Sequence, residues 1–439
     1  MGAMLEQQAK TLREAIPNLD HTRALTVEEL DTFYVERDEA NELLEEMQLQ
    51  LELQYPCKGL LTGHRGSGKS STLTRLGYML HESDQLWVVH FSVLDGLDLH
   101  DLNYVDLVLL MAVKILETCK ERELDIQGYD QRLQTWVSEI DIVKEEQKSL
   151  AIMAEAGAEA STPSKLGWLT LPVKAFLSIG GKVGTESSTR KTIREKIESD
   201  FQDLLSIIDD IQQAIFKREG KRLICLVDGV DKASIEAAEN LFYKNGSYLS
   251  APECSIIYTF PVALYHSNEF NQIKAYFAES FDLPNYKVQL KNPHHKAELK
   301  GINELKEIIT KRVTTELFED DALTKLVRTS GGIPRTAILL TQKACIKALV
   351  KKSTKVGISH VDAAIADERR DFDRLLTKEQ LELLKHVHST KDIDSDPDKG
   401  YLDLLHNLSV IEYRNGDVWY GVSPLVFRLI GEEDELTEG

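Results

Sequence analysis

Two rhythms of apolar residues alternate along the chain. Apolar positions at helical spacing run through residues 24 to 54, where "LTVEELDTFYVERDEANELLEEMQLQLEL" predicts one long helix. Further helices are predicted over Ser70 to His81, over Val105 to Glu121, and over "TRKTIREKIESDFQDLLSIIDDIQQAIFKREG". Five short segments interrupt them and read as strands: "CKGLLTG", "LWVVHF", "KRLICLVDGVD", "CSIIYTF" and "YKVQL". Four of these are continuous apolar runs, the mark of strands buried on both faces. Strands alternating with helices predict an α/β fold with a parallel, doubly wound sheet flanked by helices. From His294 onward the pattern turns helical.

This rhythm divides the chain into an N-terminal helical linker (residues 1–55), a sheet-bearing core (56–290), a helical region (291–370), a C-terminal module (371–432) and an acidic tail (433–439). The core carries an insertion at about 122–195, too long for a simple crossover. It contains the small-residue stretch "AEAGAEASTPSK" and a candidate hairpin, "GWLTLPVKAFLSIGGKVG".

The sharpest chemical signal follows the first strand. "GHRGSGKS" matches G-x-x-x-x-G-K-[ST], with Gly63, Gly68, Lys69 and Ser70 at the fixed places. Glycines let successive backbone N–H groups turn toward an anion, so Gly63, His64, Arg65, Gly66, Ser67, Gly68 and Ser71 form the expected cradle. Lys69 is placed to reach the β- and γ-phosphates. The Ser70 hydroxyl is a hard oxygen ligand suited to Mg²⁺. The helix that follows points its positive end at the same anion. A partner acid is expected at the end of another buried strand, and Asp228 closes the apolar run Leu223 to Val227. It is the candidate metal holder. Asp231 has two readings: it orients the attacking water, or it caps the helix predicted by "KASIEAAENLF".

With these motifs in place, residues 30 to 365 resemble an ATPase of the AAA+ superfamily. The closest likeness is to the origin-recognition and secretion-ATPase branches, with features of the signalling NTPases called STAND. "FYVERDEANELLEEM" is similar to the linker that packs on adenine in those families, which implies Tyr34, Val35 and Arg37 near the base. "SIIYTF" resembles the sensor-1 strand and implies a polar role for Thr259. "INELKEIITKRV" and "DDALTKLVRTSGGIPRTAILLTQKA" resemble the helical lid. The "GGIPR" motif implies Arg335 as a sensor-2 arginine and Pro334 beside the adenine, and it also reads as a helix stop and restart. The resemblance implies ATP or ADP with Mg²⁺ as ligands, and ATP hydrolysis as the activity. Two departures stand out. Gly229 occupies the place of the usual catalytic Glu, so turnover is expected to be low. Pro261 to Asn285 contains no arginine to act on a neighbouring subunit.

The C-terminal module resembles a winged helix: two helices, then "SVIEYRNGDVWYGVS", where Asn415-Gly416 signals a hairpin. Such modules bind DNA in related ATPases. Charge weighs against that here, because residues 371 to 439 hold 7 Lys+Arg against 16 Asp+Glu. The whole chain of 439 residues carries a formal charge of −20. A modest basic stripe runs along the lid, with Lys343, Lys347, Lys351, Lys352 and Lys355. The expected role is a regulatory switch that passes nucleotide state to a partner protein through the winged helix or the insertion. A nucleotide-dependent homo-oligomer fits the same reading. The alternatives are a DNA-associated ATPase and a STAND-like defence sensor. The longest apolar run, Leu107 to Val113, is far below the ~20 residues of a membrane helix. Five scattered cysteines without a C-x-x-C pair fit free thiols and a cytoplasmic location.

Overall fold

The computed structural model describes residues 7–124, 128–138, 195, 198–291, 297–393, 399–415 and 417–432. The hairpin proposed in the insertion and the acidic tail lie outside these residues. Five parallel strands form one sheet in the order β2-β3-β4-β1-β5: β1 (Lys58–Thr62), β2 (Leu86–Ser92), β3 (Arg222–Asp228), β4 (Ser255–Thr259) and β5 (Glu279–Asp282). This sheet, flanked by helices, fits a P-loop NTPase core.

Each face of the sheet has its own reason to be dry. On one side lies α5 (Tyr104–Glu121), which is apolar around most of its circumference and therefore buried, as the run "YVDLVLLMAVKIL" requires. The amphipathic α7 (Phe201–Glu219) packs beside it, while α6 (Tyr129–Ser138) covers α7. On the other side, α3 (Asp38–Leu53) and α4 (Lys69–His81) close over Leu61, Ile224, Leu226 and Ile257. Among the described residues no helix is long and apolar enough to cross a membrane. All five cysteines are buried and free.

Two expectations need correction. Residues 24 to 54 are not one helix. The α2 helix (Val27–Phe33) ends, Tyr34 and Arg37 are extended, and α3 begins at Asp38. Tertiary bonds outweigh local propensity there. Lys311 Nζ donates to Tyr34 O at 2.6 Å, and Arg37 donates to Pro284 O while lying 4.2 Å over the Tyr286 ring. "YKVQL" is not a strand of the sheet either; the fifth strand is "ESFD". That strand sits on the edge, half-exposed, so it needs no apolar run. The apolar residues of "YKVQL" instead face the helical region, where Tyr286 N donates to Gly332 O.

The helical region comprises α8 (Leu299–Arg312), α9 (Ala322–Thr329), α10 (Pro334–Val350) and α11 (Ile358–Leu375). The N-terminal α1 (Leu12–Asn18) packs on α10. The C-terminal module follows with α12 (Lys378–Thr390), α13 (Lys399–His406) and the antiparallel hairpin β6 (Val410–Asn415) and β7 (Asp417–Val422).

Candidate nucleotide site

Parallel pairing brings the chemistry to one edge of the sheet. Leu61 pairs with Thr259, Ser92 with Asp228 and Thr62 with Asp282, so the C-terminal ends of all five strands line up. Open α/β sheets bind ligands at this edge. An open cleft lies there. One wall is the loop and helix start from Gly66 to Thr72. The others come from Asp20 to Leu25, from Tyr34, Val35 and Arg37, and from Pro334, Arg335 and Ile338.

The loop has the backbone its glycines permit. Gly63, Gly66 and Gly68 all have positive φ, at 139°, 87° and 110°. Gly66 is needed for a second reason. A Cβ there would lie 2.7 Å from Arg335 Cβ, and Arg335 N donates to Gly66 O at 3.2 Å. Lys69 Nζ, deeply buried, donates to the carbonyls of Gly63 (2.7 Å) and His64 (2.9 Å). It also pairs with Asp231 Oδ2 at 2.8 Å. Asp231 therefore does not cap the next helix, whose N-cap is Ser234. Burial raises the Asp231 pKa, but the Lys69 charge and hydrogen bond, helped by Thr259, outweigh it and hold the carboxyl below its usual range. Thr259 Oγ1 accepts from Val230 N at 3.1 Å and so anchors the turn that carries Asp231.

Asp228 differs from Asp231. Burial, then the like charge of Asp231, pushes its pKa up, and Oδ1 is buried without a hydrogen-bond partner. Its carboxylate also meets the Ser70 side chain. An orphaned carboxylate oxygen beside a hydroxyl is a donor set that fits Mg²⁺. Among the described residues no three His, Cys, Asp or Glu side chains are arranged to hold a metal. A cation at Ser70 and Asp228 would thus take its other ligands from phosphate and water. Gly229 has φ of 87°, and a Cβ there would lie 3.1 Å from Ser92 Oγ. A glutamate at this place would be strained as well as crowded.

Arg335 is half-buried over the loop. Burial, then the nearby Arg65 charge, lowers its pKa, against the pull of Asp231. Helix stop and restart does occur at "GGIPR": Gly331 and Gly332 have φ of 65° and 89°, and Pro334 opens α10.

The His64 side chain turns to the C-terminal hairpin. Its Nε2 accepts from the backbone N–H of Glu412 in β6 at 2.8 Å. Burial pushes its pKa down to about 4, so the ring is a neutral acceptor. Glu412 also meets His266 Nε2 at 2.5 Å and Arg414 Nε at 3.0 Å, and Arg414 pairs with Asp282. Tyr413 OH donates to Gly331 O at 2.6 Å. Local pattern did not reveal this contact between the hairpin and the phosphate loop, nor the parts played by Asp20 to Leu25, Tyr286 and Arg312. Nothing in the segments themselves marks them; His64 and Glu412, for example, lie 348 residues apart.

No family model and no curated protein matches the chain. Several solved structures are similar to it. The ORC2 protein of Aeropyrum pernix shares 11% identity over 94% of this chain and 95% of its own, with a TM-score of 0.45. Cdc6p from Pyrobaculum aerophilum shares 12% over 93% and 99%, with a TM-score of 0.41. The Thermotoga maritima RuvB Holliday junction branch migration motor shares 13% over 91% and 96%, at 0.36.

Proposed function

We propose that this chain is an ATP-binding regulatory switch of low turnover, whose nucleotide state controls the docking of its C-terminal module and, through it, a partner protein. One observation carries the reading. The segment Gly331 to Arg335 touches the phosphate loop at one end, through Arg335 N and Gly66 O. At its other end it holds the hairpin, through Tyr413 OH and Gly331 O. A nucleotide that moves Arg335 therefore acts on a segment the hairpin also grips.

The residues divide the work. Loop N–H groups from Gly66 to Ser70 bind phosphate, and Lys69 leaves Asp231 to meet the β- and γ-oxygens. Ser70 and Asp228 would hold a Mg²⁺ ion, which would supply positive charge against the phosphates. Asp231, released from Lys69, orients water. The absence of an acid at Gly229 accounts for slow turnover. Tyr34, Val35, Arg37 and Pro334 line the base half of the cleft, and the choice of adenine rests on the family resemblance. DNA is disfavoured as the partner by the acidic module and by the lid stripe, where Lys343 pairs with Glu368 and Lys347 with Asp367 at 2.6 Å.

Arg335→Ala is the test. If Arg335 reads the γ-phosphate, the variant weakens ATP much more than ADP in calorimetry and leaves apo stability unchanged. Equal loss for both nucleotides, or none, defeats the role. Lys69→Ala should weaken both by about ten- to a hundredfold, a charge-assisted contact of roughly 1.5–3 kcal/mol. Unchanged affinity there would mean that the loop is not the site.

A further inference from the structure

Among the cations that line the cleft, Arg312 is one that the phosphate chemistry does not use. Arg312 ends α8, lines the cleft and is only 7% exposed. The apolar residues of the lining include Phe33, Val35, Tyr286 and Ile308. A guanidinium carries five N–H donors. Among the described residues its one hydrogen-bond acceptor is Ile308 O, 2.7 Å from Nη1, a carbonyl of its own helix. Its charge is also poorly matched. The carboxylate that acts on it, Glu29, is held in a two-point bond by Arg23, at 2.7 and 2.8 Å. The Arg23 charge opposes that of Arg312. The Arg312 guanidinium lies 5.9 Å over the Phe33 ring; Arg37, in the same half of the cleft, donates to Pro284 O and lies 4.2 Å over Tyr286.

A donor-rich side chain that lines a cleft calls for acceptors, which a ligand can supply. An apolar slot with one donor-rich cation suits a flat heteroaromatic ring whose edge carries lone pairs. Resting on the nucleotide reading above, we propose that Arg312 is the base-recognition residue: its guanidinium donates to an acceptor atom of a purine nucleoside triphosphate. The side chain can be changed without breaking the backbone bonds around it, because Ala9 N and Asn18 Nδ2 both donate to the Arg312 carbonyl, at 2.9 and 3.0 Å.

The test is calorimetric titration of the full chain with ATP, 2′-deoxy-ATP and tripolyphosphate, for wild type, Arg312→Met and Arg312→Lys. Tripolyphosphate occupies the loop but has no base. Arg312→Met should lose about ten- to a hundredfold for ATP and 2′-deoxy-ATP alike, with tripolyphosphate unchanged within about twofold. Arg312→Lys, which keeps charge but not the fork, should lose at least about fivefold on the same two ligands, and it decides the matter if the Met variant does not fold. Unchanged ATP affinity in a folded variant overturns the assignment. So does an equal loss for tripolyphosphate, or a loss absent with 2′-deoxy-ATP, which would move the contact to the sugar. If the wild type binds neither ATP nor tripolyphosphate, the nucleotide reading itself fails, whatever the variants do.

Discussion

The packing beneath the sheet and the contact between hairpin and phosphate loop differ in kind. Around α5 and α7 the buried side chains are aliphatic and aromatic, from Leu109 and Ile208 to the edge-on rings of Phe242, Phe260 and Phe277. Where β6 meets the loop, the buried groups are His64, Glu412 and Asn285, with Asp282, His266 and Arg414 at their side. Apolar packing is non-directional and sums over many contacts, so it tolerates small shifts and resists wholesale opening. A buried polar network is directional: each bond is made or lost. The first kind of contact suits a scaffold and the second suits a switch, since its parts exchange partners in discrete steps.

Breaking the apolar side should cost the most. Leu109→Ala, at a fully buried site in α5, should lower unfolding free energy by about 2–5 kcal/mol in denaturant titration, with nucleotide affinity of the folded fraction unchanged. A loss below about 1 kcal/mol would mean that this core is loosely packed.

The polar side should yield to protons. In the folded protein His64 titrates at about 4, below the usual value of a histidine near 6.5. The unfolded chain therefore binds a proton first as pH falls. The contribution of His64 is fully present above about 6.5 and is lost on descent toward 4. Asp282, raised to about 6 by burial and by Glu412, acts in the opposite sense, gaining its proton in the native state first. Glu412, depressed to about 2, costs stability only below about 4.5. His64→Gln keeps an acceptor for Glu412 N–H but cannot titrate. Between pH 7 and 4.5 it should lose about 2–3 kcal/mol less stability than wild type. Parallel curves for the two proteins would remove His64 from the proton balance.

Exposed charge should matter least. Lys347→Ala removes the Asp367 pair, whose partners are 35% and 26% exposed, and should change stability by no more than about 1 kcal/mol. It should leave any retention on duplex DNA unchanged. A drop in DNA binding would give the lid stripe a role that its ion pairs argue against.

Much of this molecule was legible along the chain. The loop at Gly63 to Ser70, the acid at Asp228 and four of the five strands follow from local pattern, because phosphate geometry and double-sided burial each demand particular residues at short spacing. The restart at "GGIPR" is equally local, since positive φ at Gly331 and Gly332 and a Pro at the helix start are backbone requirements. The edge strand "ESFD" was not legible: half-exposed, it carries no apolar signature. Nor was the break at Tyr34 to Arg37, which exists because Lys311, Pro284 and Tyr286 hold that segment extended. The pairing of Lys69 with Asp231, the turning of His64 toward Glu412 and the unspent donors of Arg312 were decided by tertiary structure alone. Each depends on which charges and carbonyls arrive from distant segments, and periodicity along the chain records burial but not the identity of the partner.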